Sequence, residues 1–189
     1  MANFSITPID IGGYLIDTAF SDDNRGSFTK LFEQEAFRQG GIDFNCSESF
    51  VSRSDKNVVR GMHFQSFRPQ AKLVSVISGK IYDVIVDLRK GSGTYGRWRG
   101  YYLSSENHRS LYVPRGFAHG FLSLCDDSSV LYQCDGEYDR DSDTGVLFSD
   151  EDIGIKWPVE VSQMTVGQRD KALMSFGEFN SRYAGGLEL

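Results

Sequence analysis

The sequence predicts an all-β fold, a double-sheet jelly roll or a small barrel, and three observations carry that expectation. Glycine is abundant, 20 of 189 residues, and proline scarce at 4, a balance that suits many short strands joined by glycine turns. Alternation of polar and apolar residues, the period of a half-buried strand, recurs in short runs along most of the chain. Helical patterning is confined to two short stretches. The length suffices for one sizeable core and not for two, so a single domain over residues 1–189 is expected.

Taken in order, Ser5 to Ile16 reads as short extended segments interrupted at Gly12-Gly13. Ser21-Asp-Asp-Asn-Arg-Gly26 has the composition of a turn, and Ser27-Phe-Thr-Lys-Leu-Phe32 alternates like a strand. Glu33 to Gln39 predicts a short helix stopped by Gly40-Gly41. Phe50 to Ser54 and Val58 to Gln65 are expected strands around the polar turn Asp55-Lys56-Asn57. The run Lys72 to Leu88 predicts a hairpin turning at Ser78-Gly79. Lys72, Val74 and Val76 share one face of its first strand; Tyr82, Val84, Val86 and Leu88 share a face of its second, with Asp83 and Asp87 opposite. After the loop Ser92-Gly-Thr-Tyr-Gly96, strands are expected at Arg97 to Leu103, Ser110 to Pro114, Gly120 to Leu124 and Val130 to Tyr138. Asp139 to Thr144 reads as a charged loop, Ile153-Gly-Ile-Lys-Trp-Pro158 as a short strand stopped by proline, and Gln168 to Tyr183 as the second helical stretch.

Composition narrows function. The formal net charge of −6 argues against general nucleic-acid affinity, while leaving room for a local basic pocket that binds phosphate. Cys46, Cys125 and Cys134 are odd in number and share no CxxC spacing, which points to a reducing, cytoplasmic setting with the thiols as small core residues. The stretch MANFSITPIDIGG has no basic region and no long apolar run, so no signal peptide is expected. No window approaches the roughly 20 apolar residues of a membrane span. No P-loop, GxGxxG or GxSxG motif occurs, so nothing indicates a bound nicotinamide or a serine hydrolase.

Chemistry concentrates in Asn57-Val-Val-Arg-Gly-Met-His-Phe-Gln65. Arg60 and His63 lie three residues apart in an apolar run, with Lys72 seven residues beyond Gln65. A base and two cations so close together read as an anion-binding catalytic pocket, although a histidine in a strand also serves as a hydrogen-bonded core residue. Strict alternation puts Arg60 and His63 on opposite faces; a bulge at Gly61 would bring them together. His119 stands between Gly116 and Gly120, where a tightly turned backbone is expected. Position 65 is Gln65 and no acidic residue follows closely, so the histidines make a poor metal shell. Tyr132 and Tyr138 bracket a turn-like segment. Facing a basic pocket, a tyrosine phenol can serve as a proton donor whose pKa neighbouring cations lower. Asp83 and Asp170 are the candidate carboxylates to orient a histidine, and the sequence does not choose between them.

Taken together, these runs resemble the dTDP-4-dehydrorhamnose 3,5-epimerase family. The resemblance is carried by Arg60-Gly-Met-His-Phe-Gln65, Lys72-Leu-Val, Asp83-Val-Ile-Val-Asp-Leu-Arg89, Ser92-Gly-Thr-Tyr-Gly96 and Pro114-Arg-Gly-Phe-Ala-His-Gly-Phe121. Tyr132, Tyr138, Ile153-Gly-Ile-Lys-Trp-Pro158 and Arg169-Asp170 continue it in order. It implies a cupin-type double-sheet jelly roll with short flanking helices, normally a homodimer that exchanges strands, without metal or organic cofactor, acting on nucleotide-linked 4-keto-6-deoxyhexoses. By position, His63 resembles the general base, Asp170 its orienting carboxylate, Lys72 the group that stabilises the enolate oxygen, and Tyr132 the acid on the opposite face. Arg25 matches an arginine that meets the diphosphate, often from the partner subunit, and Arg60 would face phosphate or sugar. The resemblance also implies substrate contacts from Phe28, Glu48, Tyr138, His119 and Arg169, with Asp83 behind them in the same pocket. Two departures bear on specificity: Glu48-Ser-Phe50 stands where many members have Gln-x-Asn, and Gly167 stands where serine is common. They leave open a single-carbon epimerase and a CDP-linked substrate.

Overall fold

The structure, a computed structural model, describes residues 4–189; Met1 to Asn3 of the N-terminal stretch read above lie outside the described residues. The first strands are β1 (Ser5–Pro8), β2 (Tyr14–Asp17), β3 (Ala19–Asp23) and β4 (Gly26–Lys30), followed by helix α1 (Gln34–Gln39). Next come β5 (Cys46–Ser54), β6 (Val58–Gln65), β7 (Ala71–Ser78), β8 (Lys80–Asp87), β9 (Trp98–Ser104) and β10 (Arg109–Val113). The chain closes with β11 (Phe117–Ser123), β12 (Ser128–Asp135), β13 (Asp143–Gly145), β14 (Thr165–Val166) and helices α2 (Gln168–Lys171) and α3 (Phe176–Arg182). One sheet has the order β1-β2-β10-β7-β12-β5 and the other β13-β6-β11-β8-β9, with β14 parallel along β6; β3 and β4 form a separate hairpin.

Alternation explains the layers. Val74, Val76, Leu111 and Val130 of the first sheet meet Ile81, Ile85, Phe117 and Phe121 of the second in the central core. The opposite residues of the second sheet, Val59, Met62, Phe64, Val84, Val86 and Leu122, are covered by the C-terminal segment through Val146, Phe148, Ile153, Phe179 and Leu187. Outside the first sheet, Phe37 of α1, Ile42 and Phe44 cover Ala71, Leu73 and Tyr112. The double-sheet jelly roll with short flanking helices is therefore the observed architecture.

Four local expectations are corrected. Lys72 to Leu88 is not a hairpin: β7 pairs with β10 and β12, whereas β8 pairs with β9 and β11. Alternation assigns a strand its faces and not its partner. The bend at Gly79 (φ +83°) crosses from one sheet to the other, so close to Ser128 that a Cβ would sit 2.7 Å from Ser128 Oγ. Ile153 to Pro158 forms turns rather than a strand; Ile153 packs into the outer layer and Trp157 Nε1 donates to Phe148 O at 2.9 Å. Its apolar residues serve as a cover, which needs side-chain contact and no ladder. His119 lies mid-strand in β11, not in a tight turn. Gly120 is needed there because a Cβ would sit 2.7 Å from both Arg60 O and Met62 Sδ. Cys46 is exposed while Cys134 is buried, so the thiols are not uniformly core residues.

The bulge at Gly61 is present. His63 pairs with His119 and Arg60 with Phe121, so Gly61 and Met62 together face Gly120 alone. Val59, Met62 and Phe64 consequently point into the outer layer, and Arg60 and His63 both face the interior cleft. Gly61 has φ +134°, and a Cβ there would lie 2.5 Å from Gly120 Cα. Gly61→Ala is therefore expected to cost about 2–4 kcal/mol of stability, read by urea unfolding, and to cut activity by displacing His63.

Candidate active site

The interior between the sheets is apolar along most of its length and polar where β5 and β6 face each other. A cleft of about 580 Å³ lies there, lined by Arg60, His63, His119, Lys72, Tyr132 and Asp170 together with Phe50, Ser52 and the turn before α2. A second lobe of about 360 Å³ shares Phe50, His63, Lys72 and Arg169 and adds Glu48, Gln65, Gln70, Tyr138 and Asp143.

Two histidines stand side by side, because β6 and β11 place His63 directly opposite His119. Each has its own carboxylate, and so both candidate aspartates orient a histidine. His63 Nε2 is 2.7 Å from Asp170 Oδ1, and His119 Nε2 is 2.6 Å from Asp83 Oδ1. Asp170 arrives by a long route: β14 runs parallel to β6, with Thr165 opposite Val58, and α2 then turns the carboxylate inward. Its second oxygen accepts the Gly61 N–H at 3.0 Å, which ties the bulge to the dyad. Burial alone would raise the Asp170 pKa, but the His63 hydrogen bond and charge, the Gly61 N–H and the Arg169 charge together hold it below the ordinary carboxylate value. With the carboxylate on Nε2, Nδ1 is left as the basic nitrogen of His63.

The opposite wall comes from the first sheet. Cys134 of β12 is registered with both Glu48 of β5 and Lys72 of β7, so these three lie in one row. The next row carries Phe50 and Tyr132, whose rings stack at 4.9 Å and 14°. Burial lowers the Lys72 pKa, partly offset by Cys134, Asp143, Asp83 and Glu48. Burial also drives the Tyr132 pKa well up, helped by the Asp83 charge and opposed by Arg60. This reverses the expectation that neighbouring cations lower it: desolvation of the phenolate outweighs their attraction. Asp83 is fully buried and its pKa is raised by burial, against the pull of His119 and Lys72.

At the second lobe Tyr138 lies beyond the end of β12, and its hydroxyl donates to Asp143 Oδ2 at 3.0 Å. Arg169 Nη2 meets the same oxygen at 2.8 Å. Glu48 Oε2 accepts from Gln70 Nε2 at 3.3 Å. Arg25 and Phe28 are not brought to this cleft within one chain. Arg25 sits at the tip of the β3–β4 hairpin, paired with Asp23 and 85% exposed, and Phe28 is 63% exposed on β4. Ser52 and Asp143 were missed by sequence reasoning. Ser52 was detectable, since Glu48, Phe50 and Ser52 share the period-2 face of one strand; Asp143 was hidden in a charged stretch that reads as loop. Among the described residues, no three His, Cys, Asp or Glu side chains group as a metal site.

His63 with its α2 carboxylate on one wall, and Tyr132 and Lys72 on the facing sheet, make a polar cleft in a jelly roll with the groups that proton transfer on a polar ligand requires. The chain belongs to the dTDP-4-dehydrorhamnose 3,5-epimerase family, whose sequence profile matches residues 8–178. It is 43% identical over 174 residues to the dTDP-4-dehydrorhamnose 3,5-epimerase of Methanothermobacter thermautotrophicus, covering 90% of this chain and 94% of that protein. It superposes with a TM-score of 0.90 and 34% identity on the dTDP-6-deoxy-D-glucose-3,5-epimerase of Legionella pneumophila in complex with dTDP-4-keto-L-rhamnose, covering 95% of this chain and 96% of that one. A 3′-monoepimerase from Streptomyces bikiniensis in complex with dTDP-quinovose is similar too, with a TM-score of 0.87 and 31% identity over 95% of this chain and 91% of that one.

The depressed Asp170 pKa has a consequence for stability. Its contribution is fully present above the unfolded carboxylate pKa of about 3.9 and is lost as pH falls through the lower folded value. The stability difference between the wild type and Asp170→Asn, measured by urea unfolding, is therefore expected to be largest near neutrality and to shrink below about pH 4.

Proposed function

We propose that this protein inverts C3 and C5 of dTDP-4-dehydro-6-deoxy-D-glucose to give dTDP-4-dehydro-L-rhamnose, an isomerisation by proton removal and return beside the C4 ketone. The observation that carries the reading is the His63–Asp170 dyad on one wall of the cleft with Tyr132 and Lys72 on the facing sheet. Inverting a carbon next to a ketone requires a base on one face, an acid on the other, and a positive group where the oxyanion develops. His63 Nδ1 takes the proton, Asp170 stabilises the resulting imidazolium, and Lys72 steadies the enolate oxygen. Tyr132, kept protonated by its raised pKa, delivers a proton from the other side. Arg60 and Arg169 suit the diphosphate, arginine being the better clamp because its planar fork binds bidentately. Action at both carbons is supported by the family profile and the curated relatives, which are named 3,5-epimerases.

The proposal extends to assembly and location. The exposed hairpin carrying Arg25 and Phe28 adds nothing to its own cleft, which supports a homodimer in which each hairpin completes the partner's site. Three unbridged thiols fit the cytoplasm. No helix among the described residues is long and apolar enough to cross a membrane.

In deuterated water the wild type is expected to place deuterium at both C3 and C5, read by NMR and mass spectrometry. His63→Ala should lose exchange by roughly 10²-fold or more, and Tyr132→Phe should retain part of the exchange while losing most inversion. Near-normal turnover in His63→Ala, or one labelled carbon in the wild type, would contradict the mechanism or the double inversion respectively. For assembly, Arg25→Ala and His63→Ala chains, each impaired alone, are expected to regain activity when mixed, since one site of the mixed dimer would have both residues intact. Absence of complementation in a confirmed mixed dimer would overturn the assignment of Arg25 to the partner's site.

A further inference from the structure

Among the described residues, only two buried side-chain polar atoms lack a hydrogen-bond partner, Ser52 Oγ and Asp83 Oδ2. Both residues surround Tyr132. Asp83 holds His119, whose ring meets the Tyr132 ring edge-on at 5.8 Å, and Ser52 lines the larger lobe beside it. Leaving a buried hydroxyl unpaired is costly, so one retained inside a reaction cleft points to a partner it takes in another state of the reaction.

The sheet places that partner. β5 and β12 pair so that Tyr132 faces Phe50 and Val130 faces Ser52, which puts Ser52 one diagonal step from Tyr132 on the same inward face. Stacking on Phe50 holds the Tyr132 ring in position. Arg60, whose charge opposes the rise in the Tyr132 pKa, already donates to Ser54 Oγ and Arg53 O. Ser52 Oγ is close enough to favour the ionised phenol, yet makes no well-formed hydrogen bond to it in this structure.

We infer that Ser52 is the positioning residue for Tyr132: its hydroxyl turns onto the Tyr132 oxygen once that oxygen has given its proton to the sugar carbon. The inference rests on the proton-transfer reading proposed above. In the step, the Tyr132 O–H bond breaks, a C–H bond forms at the enolate carbon, and the electron pair stays on the phenolate oxygen. Ser52 donates a hydrogen bond and keeps its own proton. Water then returns a proton to the phenolate while His63 releases to water the proton taken from carbon, so the cycle closes without net change. A buried phenolate is otherwise strongly disfavoured, and two inversions on one sugar need this reset twice.

The test compares inversion, followed by NMR, with exchange, followed by mass spectrometry, on dTDP-4-keto-6-deoxyglucose in deuterated water. Ser52→Ala is expected to lower the ratio of inversion to exchange about tenfold, the effect of one hydrogen bond to a developing charge. Ser52→Thr, which keeps the hydroxyl, should restore most of the ratio. If Ser52→Ala does not fold, Ser52→Cys provides the same comparison, because a thiol is a weak donor of similar size. A parallel loss of exchange and inversion, or no change in either, would overturn the role of Ser52. A wild type showing neither exchange nor inversion would instead overturn the proposed function, so the two failures are distinct.

Discussion

The contact between His63 and Asp170 joins residues 107 apart in the chain, and the C-terminal segment is arranged to make it. A carboxylate inside a protein is tolerated when its charge is met by hydrogen bonds, and Asp170 has two: the imidazole of His63 and the Gly61 N–H. For those to form, α2 must be held against β6, which the short parallel pairing of β14 with Val58 and Val59 achieves. That pairing is in turn pinned by the apolar layer in which Phe148, Ile153 and Phe179 cover the outer face of the second sheet. The His63–Asp170 dyad, the bulge and the outer layer are thus mechanically one unit.

Elsewhere in the cleft the same cost of burying charge governs the arrangement. Asp83 accepts from His119 and lies close enough to Lys72 that both oppose the cost of burying its charge, while Asp83 in turn partly offsets the burial of Lys72. Tyr132 shows the limit of that help: Arg60 pulls its pKa down, but burial pushes harder, and the phenol stays protonated. That outcome suits the acid role proposed for Tyr132 better than the lowered pKa first expected, since a proton donor must still hold its proton when it is needed. The apolar central core stands directly beside this cluster, with Val74, Phe121 and Val130 excluding water on one flank, while β5 leaves the other flank open.

Much of the site was legible from residues alone. Arg60, His63 and Lys72 advertise themselves because a base and two cations are unusual within apolar strands, and the glycine between Arg60 and His63 signalled the bulge that places them on one face. Other parts were not legible for definable reasons. Asp83 and Asp170 looked equivalent as carboxylates, and only their positions across β6, β8 and α2 assigned one to each histidine. The direction of the Tyr132 shift depended on how completely the two sheets enclose the ring, which no local pattern encodes.

By itself, the sequence determined the fold class, most strand positions and the inward-facing residues of the strands that line the cleft, because period-2 alternation and glycine turns are local properties. Tertiary structure alone decided partnership. It separated β7 from β8 at Gly79, turned Ile153 to Pro158 into a cover, and set Ser52 beside Tyr132 across the β5–β12 ladder. It also left Arg25 on a hairpin away from its own cleft. The physical reason is the same in each case: alternation states which side of a strand is buried, while the choice of what it is buried against depends on the whole set of apolar faces closing together.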